Sequence, residues 1–325
     1  MGPDSYQHCA LIYNPTSGRI QILREKKVEW AREILQQWIP RVDKIATESK
    51  GDALRLTRDA IARGCDLIAA CGGDGTLNEV IGGIGDSGVT VLPLPAGTAN
   101  LLAEQAGIPK EPDKAADLFP ETAPYEMPLG LVRCENPEPS ERLFLLLCGV
   151  GMDASIVYNL NTKLKAYLGQ GAYWLGSLDH LHRKLEPFLI RVGGETHECT
   201  FALLSKSRVY GGHLAITPNA HPFRDEFDVV LFHGQSPLRY VSYLAQIAAR
   251  KLDQLPDVTF HRTSRAEFFP LNSDRVYVEV DGEVAGRLPA TVEMAARGVK
   301  VLLPTRYAEE FATPVLADAL SSAAS

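Results

Sequence analysis

Short apolar runs alternate with amphipathic segments along the first third of the chain. Runs of consecutive apolar residues are typical of strands buried on both faces. Such runs occur at 9–13, 67–70 and 89–94. Apolar residues recur at helical spacing over 30–38, where Pro40 ends the pattern, and over 53–61, where Gly64 is a candidate C-cap. The repeated order of strand, loop and helix predicts a parallel α/β domain.

The pattern changes from about residue 125, after which most apolar segments are typical of strands. The predicted strands are 143–147, 188–192, 201–204, 214–217, 229–232, 276–280 and 299–303. Helices are predicted over 173–185 and 238–252, and a last helix is predicted from 309 into an Ala/Ser-rich tail. We therefore predict an α/β domain over 1–125 and a β-rich domain over 126–304, with the segment 305–325 packing back on the first.

Composition and charge narrow the class of protein. With 325 residues, 45% hydrophobic and 22% charged, the chain fits a folded protein of two domains. Its net charge of −7 argues against a nucleic-acid partner, which would require a cationic surface. The six cysteines form no CxxC pair, and neither a signal peptide nor an apolar run long enough to cross a membrane is evident. We predict a cytoplasmic protein with free thiols.

Polar loops containing glycine follow three of the predicted strands, at 14–18, 72–79 and 97–100. Because the carboxyl ends of parallel strands meet at one edge of a sheet, we expect these loops to form a single ligand crevice. Glycine lets backbone N–H groups approach a phosphate closely at a helix N-terminus. Gly72-Gly73-Asp74-Gly75 is also compatible with a simple tight turn, but its place between a strand and a helix favours a phosphate site.

A second group of acidic residues follows the predicted strand 276–280, in the order Asp281-Gly282-Glu283. From these residues alone, a type I′ hairpin turn is the simpler interpretation, because Asp-Gly is common in such turns. The alternative is a carboxylate that orients an attacking oxygen, as phosphoryl transfer requires. The sequence does not decide which carboxylate would face a ligand.

Taken together and in order, these motifs resemble the diacylglycerol kinase catalytic-domain family. The matching residues are Asn14-Pro15-x-Ser17-Gly18, Gly72-Gly73-Asp74-Gly75-Thr76-Leu77-Asn78-Glu79-Val80, Pro95-x-Gly97-Thr98-x-Asn100, Gly149-x-Gly151-x-Asp153-Ala154 and Asp281-Gly282-Glu283. The layout is similar to that of soluble bacterial lipid kinases, including YegS-like kinases, with sphingosine and ceramide kinases as more distant relatives. The resemblance implies a phosphofructokinase-like, parallel-sheet nucleotide-binding domain, a C-terminal β-sandwich domain and an active site in the cleft between them.

The resemblance also implies an activity and its residues. ATP, with Mg²⁺, would donate its γ-phosphoryl group to a lipid hydroxyl. Glu283 would act as the base, with Asp281 as the second choice, and Asp74 would organise Mg²⁺ and the phosphates. The residues that would line the nucleotide are Asn14, Ser17, Gly18, Thr47, Gly72, Gly73, Asp74, Gly75, Thr76, Leu77, Asn78, Glu79, Gly97, Thr98 and Asn100.

Two positions depart from the family's pattern. Leu101 stands where many members have Asp, and Arg224 stands at the usual Asp of a structural Mg²⁺ loop over 224–229. The arginine argues against a metal in that loop unless Asp225 substitutes for the missing acid. These departures weaken diacylglycerol as the substrate more than they weaken kinase chemistry. A sphingoid or ceramide-type lipid, an NAD-kinase-like activity and a catalytically silent lipid-binding regulator remain alternatives.

Small clusters of basic residues suggest how the protein would contact a membrane that contains its lipid substrate. Lys163, Lys165, Arg183 and Lys184 lie near apolar segments of helical pattern. A solvated helix face is the simpler interpretation, and a docking surface for a membrane is the alternative. A lipid substrate implies transient peripheral contact with a membrane, so we expect that partner, while a homodimer stays open.

Overall fold

The computed structural model of this chain describes residues 5–17, 21–151, 186–208, 210, 215–272 and 275–312. Within these ranges, the strands are joined by hydrogen bonds into a single sheet of 15 strands that extends through both halves of the chain. The predicted helix over 173–185 and the four basic residues at 163, 165, 183 and 184 lie outside the described residues, as do Gly18 and the pair Asp153-Ala154.

Parallel strands form the centre of the first domain, as predicted. They are β1 (His8–Tyr13), β2 (Arg41–Ala46), β3 (Leu67–Gly72) and β4 (Thr90–Pro95), hydrogen-bonded in the order β2, β1, β3, β4. Every residue of β3 and β4 is buried, which explains why neither strand alternates in polarity. The edge strand β2 was not predicted, because the charged side chains of Arg41, Asp43 and Lys44 interrupt its apolar positions.

Helices connect these strands and begin close to the polar loops. They are α1 (Gln21–Leu35), α2 (Asp52–Ala62), α3 (Asp74–Ile84), α4 (Leu101–Gln105) and α5 (Pro112–Asp117), followed by a 3-10 turn over Phe119–Glu121. Gly64 follows α2 with a φ of 86°, the left-handed conformation expected of a glycine that closes a helix. The first helix is shorter than predicted, since α1 ends at Leu35 and Trp38 already lies in a turn.

Antiparallel strands build the second domain around a separate apolar core. They are β5 (Thr122–Asn136), β6 (Ser140–Phe144), β7 (Leu147–Gly151), β8 (Phe188–Val192), β9 (Glu195–Cys199), β10 (Phe201–Ser205), β11 (Phe227–Phe232), β12 (Val258–Thr263), β13 (Arg265–Pro270), β14 (Tyr277–Val280) and β15 (Glu283–Pro304). Neighbouring strands pair in the order β12, β11, β10, β7, β14, β15. A second series of pairs starts from β15 and continues through β13 and β8 to β9. Phe144, Phe188, Phe227 and Phe268 lie fully buried between these strands.

Two long strands link the domains. β5 and β15 pair antiparallel from Asn136 opposite Arg287 to Thr122 opposite Pro304. The end of β15 also adds to the parallel sheet, where Val301 lies opposite Val91 of β4. Beyond β11 the chain adds α6 (Pro237–Ala248) and a 3-10 turn over Leu252–Gln254, and α7 (Thr305–Ala312) follows β15.

Two of the predicted strands are wrong in detail. The predicted strand 143–147 is divided, because β6 ends at Phe144 and β7 begins at Leu147. The N–H groups of Leu145 and Leu146 leave the ladder to donate to the carboxylate of Asp281. The predicted strand 214–217 is irregular over its described part, 215–217, where the Thr217 hydroxyl donates to the carbonyl of Ser207.

The described part of the chain includes no helix with the length and apolar character needed to cross a membrane. Its six cysteines are all free and buried.

Candidate active site

A cavity of about 370 Å³ opens where β1, β2 and β3 end. Of the residues predicted to form the site, it brings together Asn14, Ser17, Thr47, Gly73, Gly75, Thr76, Glu79 and Glu283. Pro15, Thr16, Glu48, Ser49, Lys50 and Ala53 complete the wall. Loops from the first domain and one carboxylate from the second domain therefore face the same space.

The loop after β1 is held in a turn by its own asparagine. The Asn14 side-chain oxygen accepts hydrogen bonds from the N–H of Thr16 at 2.9 Å and from its hydroxyl at 2.8 Å. The N–H of Asn14 donates to the carbonyl of Cys71 at the end of β3, at 3.0 Å. Short polar side chains commonly stabilise turns in this way. The two polar loops are thereby held side by side.

The loop between β2 and α2 is positioned by Glu79, a residue of α3. Its carboxylate accepts the N–H groups of Gly51 at 2.8 Å and Ala53 at 3.2 Å, which lie at the start of α2. A carboxylate at a helix N-terminus is stabilised by the helix dipole. This contact presents Lys50, with 78% of its side chain exposed, on the wall of the cavity.

The loop after β4 contacts the glycine loop so closely that Gly97 has no room for a side chain. A Cβ atom on Gly97 would lie 2.4 Å from the Cα of Gly73. Asn100 adopts a φ of 55°, and its side chain closes the loop by hydrogen bonds to the N–H and carbonyl of Gly97 at 3.0 and 2.9 Å. This loop therefore supports the cavity from behind.

Asp74 connects those two loops. Its carboxylate oxygens accept the N–H of Asn100 at 2.9 Å and the N–H of Leu101 at 2.7 Å. Burial and the nearby negative charge of Asp281 raise the pKa of Asp74 to about 7, although the two N–H donors oppose that shift. Asp74 is absent from the cavity wall, which places it in the supporting layer.

Asp281 and Gly282 form the hairpin turn that joins β14 to β15. Their φ values of 47° and 83° are those of a type I′ turn, so the simpler interpretation of Asp-Gly is correct for the backbone. The side chain of Asp281 also makes hydrogen bonds outside the turn. Its carboxylate is 4% exposed and accepts the N–H groups of Leu145, Leu146 and Leu147 at 2.7, 3.0 and 2.9 Å.

A fourth donor completes the environment of Asp281. The side-chain amide of Asn78 in α3 donates to it at 3.1 Å, so this contact crosses from one domain to the other. Burial raises the pKa of Asp281, and its N–H donors act in the opposite direction. With its oxygens fully engaged and out of contact with the cavity, Asp281 joins the domains.

Glu283 is the acid that faces the cavity. The guanidinium of Arg142 in β6 donates to its carboxylate at 2.8 Å and to the carbonyl of Val284 at 2.8 Å. The Nζ atom of Lys50 lies 3.7 Å away. Burial acts to raise the pKa of Glu283, but Arg142 and Lys50 outweigh it and hold the pKa below its ordinary value. Glu283 is therefore an oriented, ionised acceptor beside the glycine loop.

Several predicted residues are absent from the cavity wall. They are Gly72, Asp74, Leu77, Asn78, Gly97, Thr98, Asn100 and Asp281. Conversely, Lys50 and Arg142 belong to the site but were not predicted from the sequence. Lys50 precedes a glycine at the start of a helix, a signal that could have suggested a ligand-facing loop. Arg142 carries no such signal, because its partner is 141 residues away in the sequence.

A structural metal at Asp225 does not fit the residues of this loop. Asp225 is exposed, and its neighbour Asp228 already lies 3.2 Å from Arg262 and 3.7 Å from Arg224. Among the residues described, no three or more His, Cys, Asp or Glu side chains are grouped as a metal site would require. Arginine cations thus occupy the surroundings of Asp228, beside the position at which Asp225 would hold a metal.

A fully buried lysine lies near the junction of the domains. The Nζ atom of Lys206 donates to the carbonyl of Pro128, and its backbone N–H donates to that of Leu146 at 2.8 Å. Burial lowers the pKa of Lys206 from 10.5 to about 7, while Asp225 and Asp281 oppose that shift. Below a pH of about 7, Lys206 carries a buried positive charge in the folded protein. Between about pH 7 and 10.5, Lys206 is neutral in the folded protein and protonated in the unfolded chain.

Replacing Lys206 with Met should therefore stabilise the protein most at low pH. Stability of the wild type should rise with pH above about 7, by up to about 1.4 kcal/mol per pH unit, whereas the variant lacks this dependence. Urea unfolding at a pH below 7 and at a pH above 9 measures both proteins. Lys300→Met, at an exposed position of β15, is the control. An equal effect of Lys206→Met at both pH values would contradict the assignment.

Comparison with known proteins agrees with this architecture. Residues 8–132 match the diacylglycerol kinase catalytic domain, and residues 147–303 match the YegS C-terminal NAD kinase beta sandwich-like domain. A diacylglycerol kinase of Bacillus subtilis (strain 168) is 28% identical over 307 residues, covering 92% of this chain and 97% of that protein. One of Staphylococcus aureus (strain bovine RF122 / ET3-1) is 27% identical over 306 residues, covering 92% and 93%.

The same fold is present among solved structures. A crystal structure of a diacylglycerol kinase from Bacillus anthracis str. Sterne superposes with a TM-score of 0.71 at 20% identity, covering 92% of this chain and 97% of that one. At this identity the likeness establishes the fold alone. Both matched domains occur in order and together span most of the sequence. The chain therefore belongs to the diacylglycerol kinase catalytic-domain family of lipid kinases.

Proposed function

We propose that this lipid kinase uses ATP to phosphorylate the hydroxyl group of diacylglycerol. The observation that carries the proposal is the position of Glu283 on the wall of the cavity formed by the glycine loops. A phosphate-binding loop and an ionised acceptor in one space are what phosphoryl transfer to an alcohol requires. The names of the relatives supply diacylglycerol as the acceptor.

The donor nucleotide would place its phosphates at the start of α3. Gly73 and Gly75 expose backbone N–H groups there, and the positive end of the helix dipole favours an anion. Lys50 supplies an exposed positive charge on the cavity wall, 3.7 Å from the carboxylate of Glu283. A volume of about 370 Å³ suits the phosphates and part of the nucleoside.

Glu283 would receive the proton of the attacking hydroxyl. As the lipid oxygen forms its bond to the γ-phosphorus, the bond from that phosphorus to the bridging β-oxygen breaks, and ADP leaves. Arg142 fixes the carboxylate by a hydrogen bond at 2.8 Å, so the acceptor is oriented before the substrate binds. Lys50 would turn from Glu283 to the phosphates and offset their negative charge.

Mg²⁺ would accompany the triphosphate and neutralise part of its charge, bound mainly through phosphate oxygens and water. The sequence predicts Asp74 as its protein ligand. Both oxygens of Asp74 already accept backbone N–H groups of Asn100 and Leu101. We therefore propose that Asp74 serves the nucleotide by holding the glycine loop against the loop after β4.

A panel of acceptors tests this function. The protein is incubated with ATP labelled in its γ-phosphate and, separately, with diacylglycerol, sphingosine, ceramide or NAD. We expect label in the diacylglycerol product. Label in sphingosine or ceramide would support lipid kinase activity with a different substrate. Label in NAD would favour the NAD-kinase-like alternative. No transfer to any acceptor would favour a catalytically silent regulator.

Gly75→Ala should impair catalysis with little loss of stability. A Cβ atom at this position would lie 2.1 Å from Oε1 of Glu283, so the carboxylate must move from its place beside Arg142. We expect kcat to fall by about tenfold or more, since small misplacements of reacting groups are costly. Steady-state phosphorylation of diacylglycerol measures this effect.

Gly82→Ala in the same helix is the matched control. There a Cβ atom would meet only the end of the Leu54 side chain, at 3.3 Å. Alanine also favours a helix over glycine by up to about 1 kcal/mol. Equal kcat values for the two variants would show that the close contact between Gly75 and Glu283 is unimportant.

A further inference from the structure

A second and larger cavity lies in the β-rich domain, with a volume of about 690 Å³. It is bounded by Arg208 and residues 215–219, by β11, by residues 250–253 after α6, and by β12. None of its described lining residues belongs to the wall of the first cavity. It is therefore a separate site on the molecule.

Positive charge predominates in this cavity. Arg208, Arg250 and Arg262 line it, against the carboxylates of Asp228 and Asp253. Arg262 pairs with Asp228 at 3.2 Å, and Arg224 approaches the same carboxylate at 3.7 Å. The local excess of cations contrasts with the net charge of −7 of the whole chain.

Two of these arginines are available for a ligand. Within the described ranges, neither Arg208 nor Arg250 forms an ion pair with a carboxylate. The guanidinium of Arg208 lies over the ring of Phe311 at 4.1 Å, and its buried Nε atom has no hydrogen-bond partner among the described residues. A buried donor without a partner carries a cost that an anionic ligand would remove.

Part of the wall is apolar, beside the polar side chains of Thr217, Asn219 and His261. Ile216, Val229 and Leu252 contribute aliphatic surface, and Phe260 exposes 44% of its area although it is a large hydrophobic residue. Guanidinium groups bind phosphate through paired hydrogen bonds, and apolar walls accept the hydrocarbon beside a headgroup. Cations and exposed apolar surface side by side match an amphiphile with a phosphate headgroup.

We propose that this cavity binds the headgroup of an anionic phospholipid and holds the protein on a membrane surface. The charge of the chain as a whole repels such a surface, so attraction must come from a local group of cations. The site needs no nucleotide and no phosphoryl transfer. Its test is therefore independent of the activity proposed above.

Sedimentation with lipid vesicles tests the proposal on the full chain. We expect binding to phosphatidylcholine vesicles that contain phosphatidylglycerol and weak binding to phosphatidylcholine alone. The double variant Arg208→Gln/Arg250→Gln should bind about 25-fold more weakly, because each basic residue near an anionic surface contributes about fivefold. Arg208→Lys/Arg250→Lys keeps both charges but loses the paired guanidinium hydrogen bonds, so its binding should lie between that of the wild type and that of the glutamine variant.

A matched control removes the same charge elsewhere. Arg58 and Arg63 are exposed residues in and just after α2, so Arg58→Gln/Arg63→Gln should leave vesicle binding near the wild-type value. Phe260→Ser should weaken binding without a change of charge, and we expect the fold to be retained because 44% of Phe260 is exposed. Equal losses in the two glutamine variants, or no preference of the wild type for phosphatidylglycerol, would overturn the proposal.

Discussion

Glu283→Gln is expected to lower kcat for lipid phosphorylation by about 10²–10⁴-fold and to leave ATP affinity near the wild-type value. Glutamine has nearly the same shape and can still accept the hydrogen bond from Arg142, but it cannot take the proton of the attacking hydroxyl. Because the pKa of Glu283 is held below its ordinary value, the wild-type carboxylate is ionised at neutral pH. Steady-state kinetics gives kcat, and calorimetry gives the Kd for ATP.

Glu48→Gln is the control for this experiment. Glu48 lines the same cavity and is exposed, so its replacement removes one negative charge from the same surroundings. We expect its kcat to stay within a few fold of the wild type. If Glu283→Gln behaved in the same way, Glu283 would not be the proton acceptor.

Asp281→Asn is expected to destabilise the protein by about 3–5 kcal/mol. The carboxylate accepts three backbone N–H groups from Leu145, Leu146 and Leu147 and one amide N–H from Asn78. An asparagine side chain brings its own donors into this group and cannot accept all of these bonds. Asparagine tolerates a φ of 47° about as well as aspartate does, so the substitution isolates the carboxylate.

Urea unfolding measures this loss, and Asp59→Asn on the exposed surface of α2 provides the comparison. We expect Asp59→Asn to change the free energy of unfolding by less than about 0.5 kcal/mol. A loss of under about 1 kcal/mol for Asp281→Asn would show that the turn, without its buried carboxylate contacts, is sufficient to join the domains.

The sequence predicts β1, β3 and β4 of the first domain well, because these strands are mostly apolar and a polar loop that contains glycine follows each of them directly. Residues 67–70 predict β3, and the polar loop that follows lies at the cavity as expected. The prediction of strands fails where apolar and charged residues are mixed within one strand. β2 and β9 are edge strands whose exposed positions carry charges, so neither contains an apolar run.

The roles of the acidic residues show a second limit of prediction from the sequence. Asp281 contacts Leu145, which is 136 residues away in the sequence, and Glu283 contacts Arg142, which is 141 residues away. These distant contacts determine which of the two acids faces the cavity. Asp74 likewise contacts the N–H of Leu101, at the position where the family's usual aspartate is missing. The family resemblance identified these residues as a group, and only the folded chain assigns each of them to the cavity wall or to the layer behind it.

A crystal structure with a non-hydrolysable ATP analogue tests the central claim most directly. We predict that the triphosphate lies against residues 73–76 with Lys50 beside it, and that the γ-phosphate points toward the carboxylate of Glu283. A nucleotide bound elsewhere, or bound here with its γ-phosphate directed away from Glu283, would contradict the account.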